Sequence, residues 1–225
     1  MDQVRKLLWV FLAVLVVAST AYAAEGKGEV SVNLGWIWSD GVTGNNVLAP
    51  NGNVYNRIDP KDSFAWGFTG EYYVTDNAEV GFRFNQQMSK LDVGGPSVTT
   101  DIGDMKVNNY HGIFSYNFGE ADAKARPFFY GGLGATHYAD VSFQKANGTI
   151  GDTGSLTKFS TTWGAGVKVH ASEHVGFRAE ANWTPTHIKT DTTGWWCDPY
   201  WGCYLTGNAQ YSNQFGFSGG LNLRF

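Results

Sequence analysis

The closing stretch Gln214-Phe215-Gly216-Phe217-Ser218-Gly219-Gly220-Leu221-Asn222-Leu223-Arg224-Phe225 decides the fold class. Phe215, Phe217, Leu221, Leu223 and Phe225 occupy every second position and share one face, while Gln214, Ser218, Asn222 and Arg224 share the other. A strict period of two is the signature of an extended strand with one apolar and one polar face. No helical period of 3.6 places those residues on common sides.

Working upstream, the same pattern recurs. Val30, Val32, Leu34, Trp36 and Trp38 alternate with Ser31, Asn33 and Gly35. Phe64, Trp66, Phe68, Tyr72 and Val74 alternate with Gly67, Thr69 and Glu71. Val80, Phe82 and Phe84 alternate with Glu79, Gly81, Arg83 and Asn85. Tyr110, Phe114, Tyr116 and Phe118 oppose Asn109, His111, Ser115 and Asn117. Trp163, Ala165, Val167 and Val169 oppose Gly164, Gly166 and Lys168, and Val175, Phe177, Ala179, Ala181 and Trp183 oppose Arg178, Glu180 and Asn182. A further strand between Arg126 and Tyr138 is so rich in glycine and rings that its two faces are not separable from the pattern. The strands number eight, and an all-β, antiparallel, up-and-down arrangement follows.

The connections alternate in length. Thr75 to Asn77, Gly119 to Lys124 and Ala171 to His174 are short, whereas Ser39 to Ser63, Met88 to Asp104, Ala139 to Ser160 and Ile188 to Asn213 are long. Short turns at one end and long loops at the other are the layout of a transmembrane β-barrel, with both chain ends on the short-turn, periplasmic side. A soluble ligand-binding barrel shares the alternation but would have to pack the ring-bearing faces inward. An eight-stranded bore holds too few side chains for that. The polar faces instead carry glycines and charges, and Trp36, Trp38, Trp66, Tyr72, Tyr110, Tyr116, Phe118 and Trp183 fall near strand ends, where interfacial aromatic girdles lie.

The N-terminus agrees. Arg5 and Lys6 precede an unbroken apolar run from Leu7 to Ala18, and Ala21-Tyr22-Ala23 supplies a small-x-small cleavage pattern. A run of about twelve residues is too short to span a bilayer as a helix, so residues 1–23 read as a secretory signal and 24–225 as the barrel domain. Removing the signal takes the formal charge from −4 to −5, and with no basic stripe anywhere a nucleic-acid partner is excluded. The 29 glycines and 16% aromatics suit strands and tight turns rather than a helical bundle.

Several stretches resemble the outer-membrane β-barrel superfamily. They are the Thr75-Asp76-Asn77 turn, Tyr116-Asn117-Phe118-Gly119, Arg126-Pro127-Phe128-Phe129-Tyr130-Gly131-Gly132-Leu133-Gly134, Trp163-Gly164-Ala165-Gly166-Val167, and the closing Phe217 to Phe225. The second and third are similar to that superfamily's "YNFG … RPYVGAGLG" signature. Within it the layout is nearest the OmpW family, with OmpA-type membrane domains and OmpX-like barrels also similar. The resemblance implies residence in the outer membrane of a Gram-negative bacterium, among outer-membrane lipid and lipopolysaccharide. It implies a narrow barrel with an apolar pocket or side exit for small hydrophobic molecules, and a terminal Phe225 read by the barrel-assembly machinery.

Three groups of residues are candidates for function. Glu71, Arg83, Lys168, Arg178, Glu180 and Arg224 would project into the bore, where charges persist only if paired or hydrated. They form a structural plug or the gate of a narrow pore. Cys197 and Cys203 lie in one late segment with Pro199 and Gly202 between them, and export would favour a disulfide there. The same segment holds Trp195, Trp196, Tyr200, Trp201 and Tyr204, a candidate recognition tip.

Catalytic, metal and cofactor sites are not expected. His111, His137, His170, His174 and His187 lack metal-ligand spacing. His170-Ala171-Ser172 has the His-x-Ser spacing of PagL-type lipid A deacylases, but it sits at a short turn, on the side away from lipid A. The expected function is therefore non-enzymatic: a narrow passive channel or binding barrel for small hydrophobic molecules. The alternative is a structural or adhesin-like barrel acting through its long loops. An eight-stranded bore excludes a general aqueous porin.

Overall fold

A computed structural model describes residues 28–48, 54–95, 99–144, 150–188, 197–198, 202–203 and 211–225. The described strands are β1 (Gly28–Ser39), β2 (Val42–Leu48), β3 (Val54–Pro60), β4 (Ser63–Tyr73), β5 (Ala78–Gly94), β6 (Thr99–Asn117), β7 (Ala125–Tyr138), β8 (Ser142–Gln144), β9 (Ile150–Asp152), β10 (Leu156–His170), β11 (Val175–His187), β12 (Cys197–Asp198), β13 (Gly202–Cys203) and β14 (Tyr211–Arg224). No helix occurs among the described residues. The expected signal segment, residues 1–23, lies outside them.

Eight strands, β1, β4, β5, β6, β7, β10, β11 and β14, close into a barrel in which every neighbour is antiparallel. Paired residues run once around as Gly28, Tyr72, Val80, Phe114, Gly131, Trp163, Trp183, Phe215 and Trp38, so the path re-enters β1 ten residues beyond its start. At the standard rise and strand spacing, that stagger over eight strands sets a tilt of about 40° and a backbone radius of about 8 Å. Such a bore is filled by side chains.

The alternation read from the sequence is the alternation of exposure. Leu34, Trp36, Phe82, Phe114, Trp163 and Phe217 are exposed, while Ser31, Asn33, Glu71, Arg83, Lys168 and Arg178 are buried. For a molecule without a membrane this is inside out, and it is correct for a barrel in lipid. The strand whose faces the sequence left open, β7, turns Arg126, Phe128, Tyr130, Thr136 and Tyr138 inward and Phe129 and Leu133 outward. Its inward rings lie against glycines of β10. A Cβ at Gly164 would come within 2.5 Å of the Tyr130 ring, and one at Gly166 within 2.8 Å of Phe128.

Two of the expected long loops are strand instead. β5 and β6 continue through the Met88 to Asp104 segment as a paired hairpin, and β2–β3 forms a second hairpin whose β3 edge pairs with β5. A 17-residue strand rises about 40 Å along the tilted axis, against an apolar band of about 25 Å, so these extensions stand clear of the membrane. β8–β9 forms a third, shorter pair. Local alternation ends at the edge of the lipid band, because outside it neither face needs to be apolar. Pairing there leaves no period-two signature in the sequence for that reason.

Candidate functional site

At the short-turn end the bore is filled by charged side chains. The Lys168 ammonium donates to Glu29 Oε2 at 2.7 Å and to Glu79 Oε1 and Oε2 at 2.8 Å, and lies 3.5 Å from Glu71 Oε2. Arg178 pairs with Glu71 and, through Nε at 2.8 Å, with Glu180. Arg83 reaches Glu180 from the opposite wall. Arg224 Nε lies 3.3 Å from Glu29 Oε1, and Tyr73 donates to that same oxygen at 2.6 Å. Asn222, Ser115 and Ser218 donate to Glu29, Glu71 and Glu180 respectively. The guanidinium of Arg178 stacks 4.3 Å from the Phe128 ring centroid, and that of Arg83 lies 5.3 Å from Tyr130. Charges in a confined space persist when paired and hydrogen-bonded, as these are.

Glu29, Glu71 and Glu79 bring carboxylate oxygens within 4.8 Å of one another, a metal-capable grouping among the described residues. Lys168 stands among them, so a cation fixed to β10 does what a bound ion would otherwise do.

Above the ions lies a neutral belt. Ser39 Oγ is 3.0 Å from Gln87 Oε1, Gln214 donates to that oxygen at 3.0 Å, and Asn109 donates to Gln214 at 2.9 Å. Thr136 Oγ1 is 2.7 Å from Asn109 Oδ1 and 2.9 Å from Ser160 Oγ, which meets His111 Nε2 at 2.9 Å. The chain of hydrogen bonds therefore crosses the bore from β1 to β10.

Higher still, the interior turns apolar. Val42, Ile58, Leu91, Met105, Val107, Tyr138, Val141 and Ile188 form one buried cluster that joins the β2–β3 and β5–β6 hairpins over the mouth. Gly103, at φ +148°, is placed so that a Cβ would come 2.8 Å from Val141. The hairpin rim is charged: Arg57 pairs with Asp59 at 2.7 Å, Lys61 with Asp92 at 3.0 Å and Lys90 with Asp101 at 3.1 Å. Burial, together with Asp62, Asp92 and Asp40, pushes the Asp59 carboxyl above the usual aspartate range against the pull of Arg57. On the lipid side, an indentation of about 520 Å³ lies among Leu34, Ala165, Val167, Ala179, Ala181 and Phe217.

The structure brings together all six lumen charges expected from the sequence. It also adds Glu29, Glu79 and Arg126, so the expected balance of two acidic and four basic residues is corrected to four and five. Glu79 lay on a polar face of the alternation and was readable there. Arg126 sat on the strand with unassigned faces, and Glu29 preceded the first apolar residue. Cys197 and Cys203 are Cα partners across the β12–β13 pair. Trp195, Trp196, Tyr200, Trp201 and Tyr204 lie outside the described residues. Ser172 Oγ accepts from the backbone N–H of Val175 at 3.1 Å and His170 Nδ1 meets the Ala123 carbonyl, so both serve the turns at the short-turn end.

A family model described as outer membrane protein beta-barrel domain matches residues 9–225. Among curated proteins nothing matches. Among solved structures, the outer membrane protein OprG from Pseudomonas aeruginosa is 15% identical with a TM-score of 0.57, over 89% of this chain and 96% of that one. Neisserial surface protein A is 12% identical with a TM-score of 0.53, over 88% of this chain and 97% of that one. At such identities the likeness is one of fold.

Proposed function

The chain belongs to the outer membrane β-barrel family, and from that premise we propose that it captures small hydrophobic molecules at its external mouth and is not a water-filled pore. The observation that carries this reading is the buried apolar cluster of Leu91, Met105, Val107, Tyr138 and their neighbours above a closed bore. Barrel interiors are ordinarily polar, so inward apolar side chains at the mouth are the departure that calls for a role. The ion network and neutral belt beneath leave no straight aqueous path for a solute. An apolar guest that parts the mouth cluster therefore leaves sideways, toward lipid, rather than through the charges. On this reading residues 1–23 are removed on export, Phe225 is read during assembly, and no residue acts as a catalyst.

The test is made in lipid nanodiscs with a naphthylamine probe. Energy transfer from the tryptophans to the probe is expected to saturate in the wild type and to be abolished in Leu91→Asp. Planar bilayers should show no conductance steps. Steady ion conductance, with no saturable probe binding, would overturn the proposal.

A second reading, surface interaction through the loops, is favoured by the hairpins that β5 and β6 carry beyond the lipid band. Removing residues 195–204 separates the two. Loss of cell binding with probe capture intact supports the surface role, and cell binding that survives the deletion, with probe capture lost only in Leu91→Asp, supports capture.

A further inference from the structure

The lumen charges are divided between the two halves of the chain. On β1, β4 and β5 they are Glu29, Glu71, Glu79 and Arg83, a net of two negative charges. On β7, β10, β11 and β14 they are Arg126, Lys168, Arg178, Glu180 and Arg224, a net of three positive charges. The ion pairs follow that division. Among the described lumen residues, Arg178–Glu180 lies within one strand, and every other pair joins the first half to the second. Arg224–Glu29 bridges the β1–β14 seam. Lys168–Glu79, Arg178–Glu71 and Arg83–Glu180 connect strands that are not neighbours in the sheet.

An open sheet makes none of these non-neighbour contacts. β5 and β11 are separated by three strands, and along the ladders Arg83 lies level with Thr186, six residues from Glu180, so Arg83 and Glu180 stand about 28 Å apart until the sheet rolls up. Closure is what brings them together. The contacts also depend on register. The smallest seam slip that keeps lipid and lumen faces distinct is two residues, about 6.6 Å, more than any of these pairs tolerates.

We infer that the two halves of the barrel carry complementary charged surfaces whose partner is the other half of the same chain, so that the lumen network acts as a lock on closure. The negative inner face of the first half and the positive inner face of the second draw β1 and β14 together. They select the ten-residue stagger over slipped alternatives. This accounts for the sorting of charge along the chain, which filling the bore does not require, since pairs between adjacent strands would fill it equally well.

The test uses the full chain, refolded from urea into phosphatidylcholine vesicles. Far-ultraviolet circular dichroism reports sheet formation, and mobility on unheated gels reports the closed barrel. For the wild type, the rate of sheet formation is expected to be indifferent to salt. Closure should slow at least threefold between 10 mM and 0.5 M NaCl, because the charges are still hydrated and screened before they meet. In Glu71→Gln with Arg178→Gln, which lowers the net charges of the two halves to −1 and +2 and leaves Glu180 its Arg83 partner, sheet formation should keep its rate while closure slows at least fivefold at low salt and loses most of its salt dependence. Closure of the wild type that ignores salt overturns the proposal, and so does closure of the double variant at the wild-type rate. Should the double variant not fold, the salt dependence of the wild type decides alone.

Discussion

Replacing Lys168 with methionine keeps most of the side-chain volume and removes the charge that three carboxylates share. The structure ranks the consequences. Glu71 retains Arg178 and Ser115, and Glu29 retains Arg224, Tyr73 and Asn222. Glu79 has no other ionic partner among the described residues, so the uncompensated charge falls on it. Breaking a buried pair by removing one member costs about 3–5 kcal/mol. At 1.4 kcal/mol per decade, the middle of that range is about a thousandfold in the folded-to-unfolded ratio. Adding Glu79→Gln removes the orphaned charge and should restore most of the loss, because replacing both partners leaves no unsatisfied ion. The measurement is urea unfolding in vesicles, followed by tryptophan fluorescence and gel mobility, for the wild type, the single and the double variant. Calcium supplies a second axis. In Lys168→Met the carboxylates of Glu29, Glu71 and Glu79 lose the cation they share, so millimolar calcium should raise the midpoint of the single variant and leave the wild type unchanged. A single variant as stable as the wild type, or a double variant no better than the single, refutes the reasoning.

Other outcomes follow from the same geometry. Met105→Glu places a charge in the apolar mouth cluster and should cost roughly 2–5 kcal/mol of hairpin stability while leaving the barrel closed, read by hydrogen exchange of β5 and β6 beyond the lipid band. Gly164→Ala sets a methyl group against the Tyr130 ring and should destabilise by about 1–3 kcal/mol in urea, a loss that Tyr130→Ala relieves. Asp59 has a carboxyl whose affinity for protons is raised in the folded hairpin. Its contribution to hairpin stability is therefore greatest below the unfolded aspartate value and is lost as pH rises through the folded one. Exchange protection of β3, corrected for the intrinsic rate, should fall between pH 4 and pH 8 in the wild type and stay level in Asp59→Asn. Cys197 and Cys203 should resist thiol labelling until reduced, with the barrel's gel mobility unchanged by reduction; free thiols in the untreated protein would exclude the disulfide.

Much of the wall was legible in the sequence, and much of what it encloses was not. The faces of β1, β4, β11 and β14 follow from which residues recur at every second position, since lipid on one side and a polar bore on the other impose opposite chemistry on neighbours. β7 defeated that reading because its inward face carries Phe128 and Tyr130, rings that belong to the lumen only because Gly166 and Gly164 on the next strand leave room for them. The hairpin extensions of β5 and β6 escaped it as well, for lack of a lipid boundary to enforce alternation.

Taken alone, the sequence determined the eight barrel strands, their antiparallel order and the orientation of every barrel face except that of β7, because these are set residue by residue through a two-residue period. It did not determine that Lys168 would meet Glu29 and Glu79, that Arg83 would reach Glu180, or that Val42, Leu91 and Ile188 would share one cluster over the mouth. Those contacts join strands distant in the sheet. They depend on the sum of all eight registers, the ten-residue stagger, and that quantity exists only when the barrel has closed.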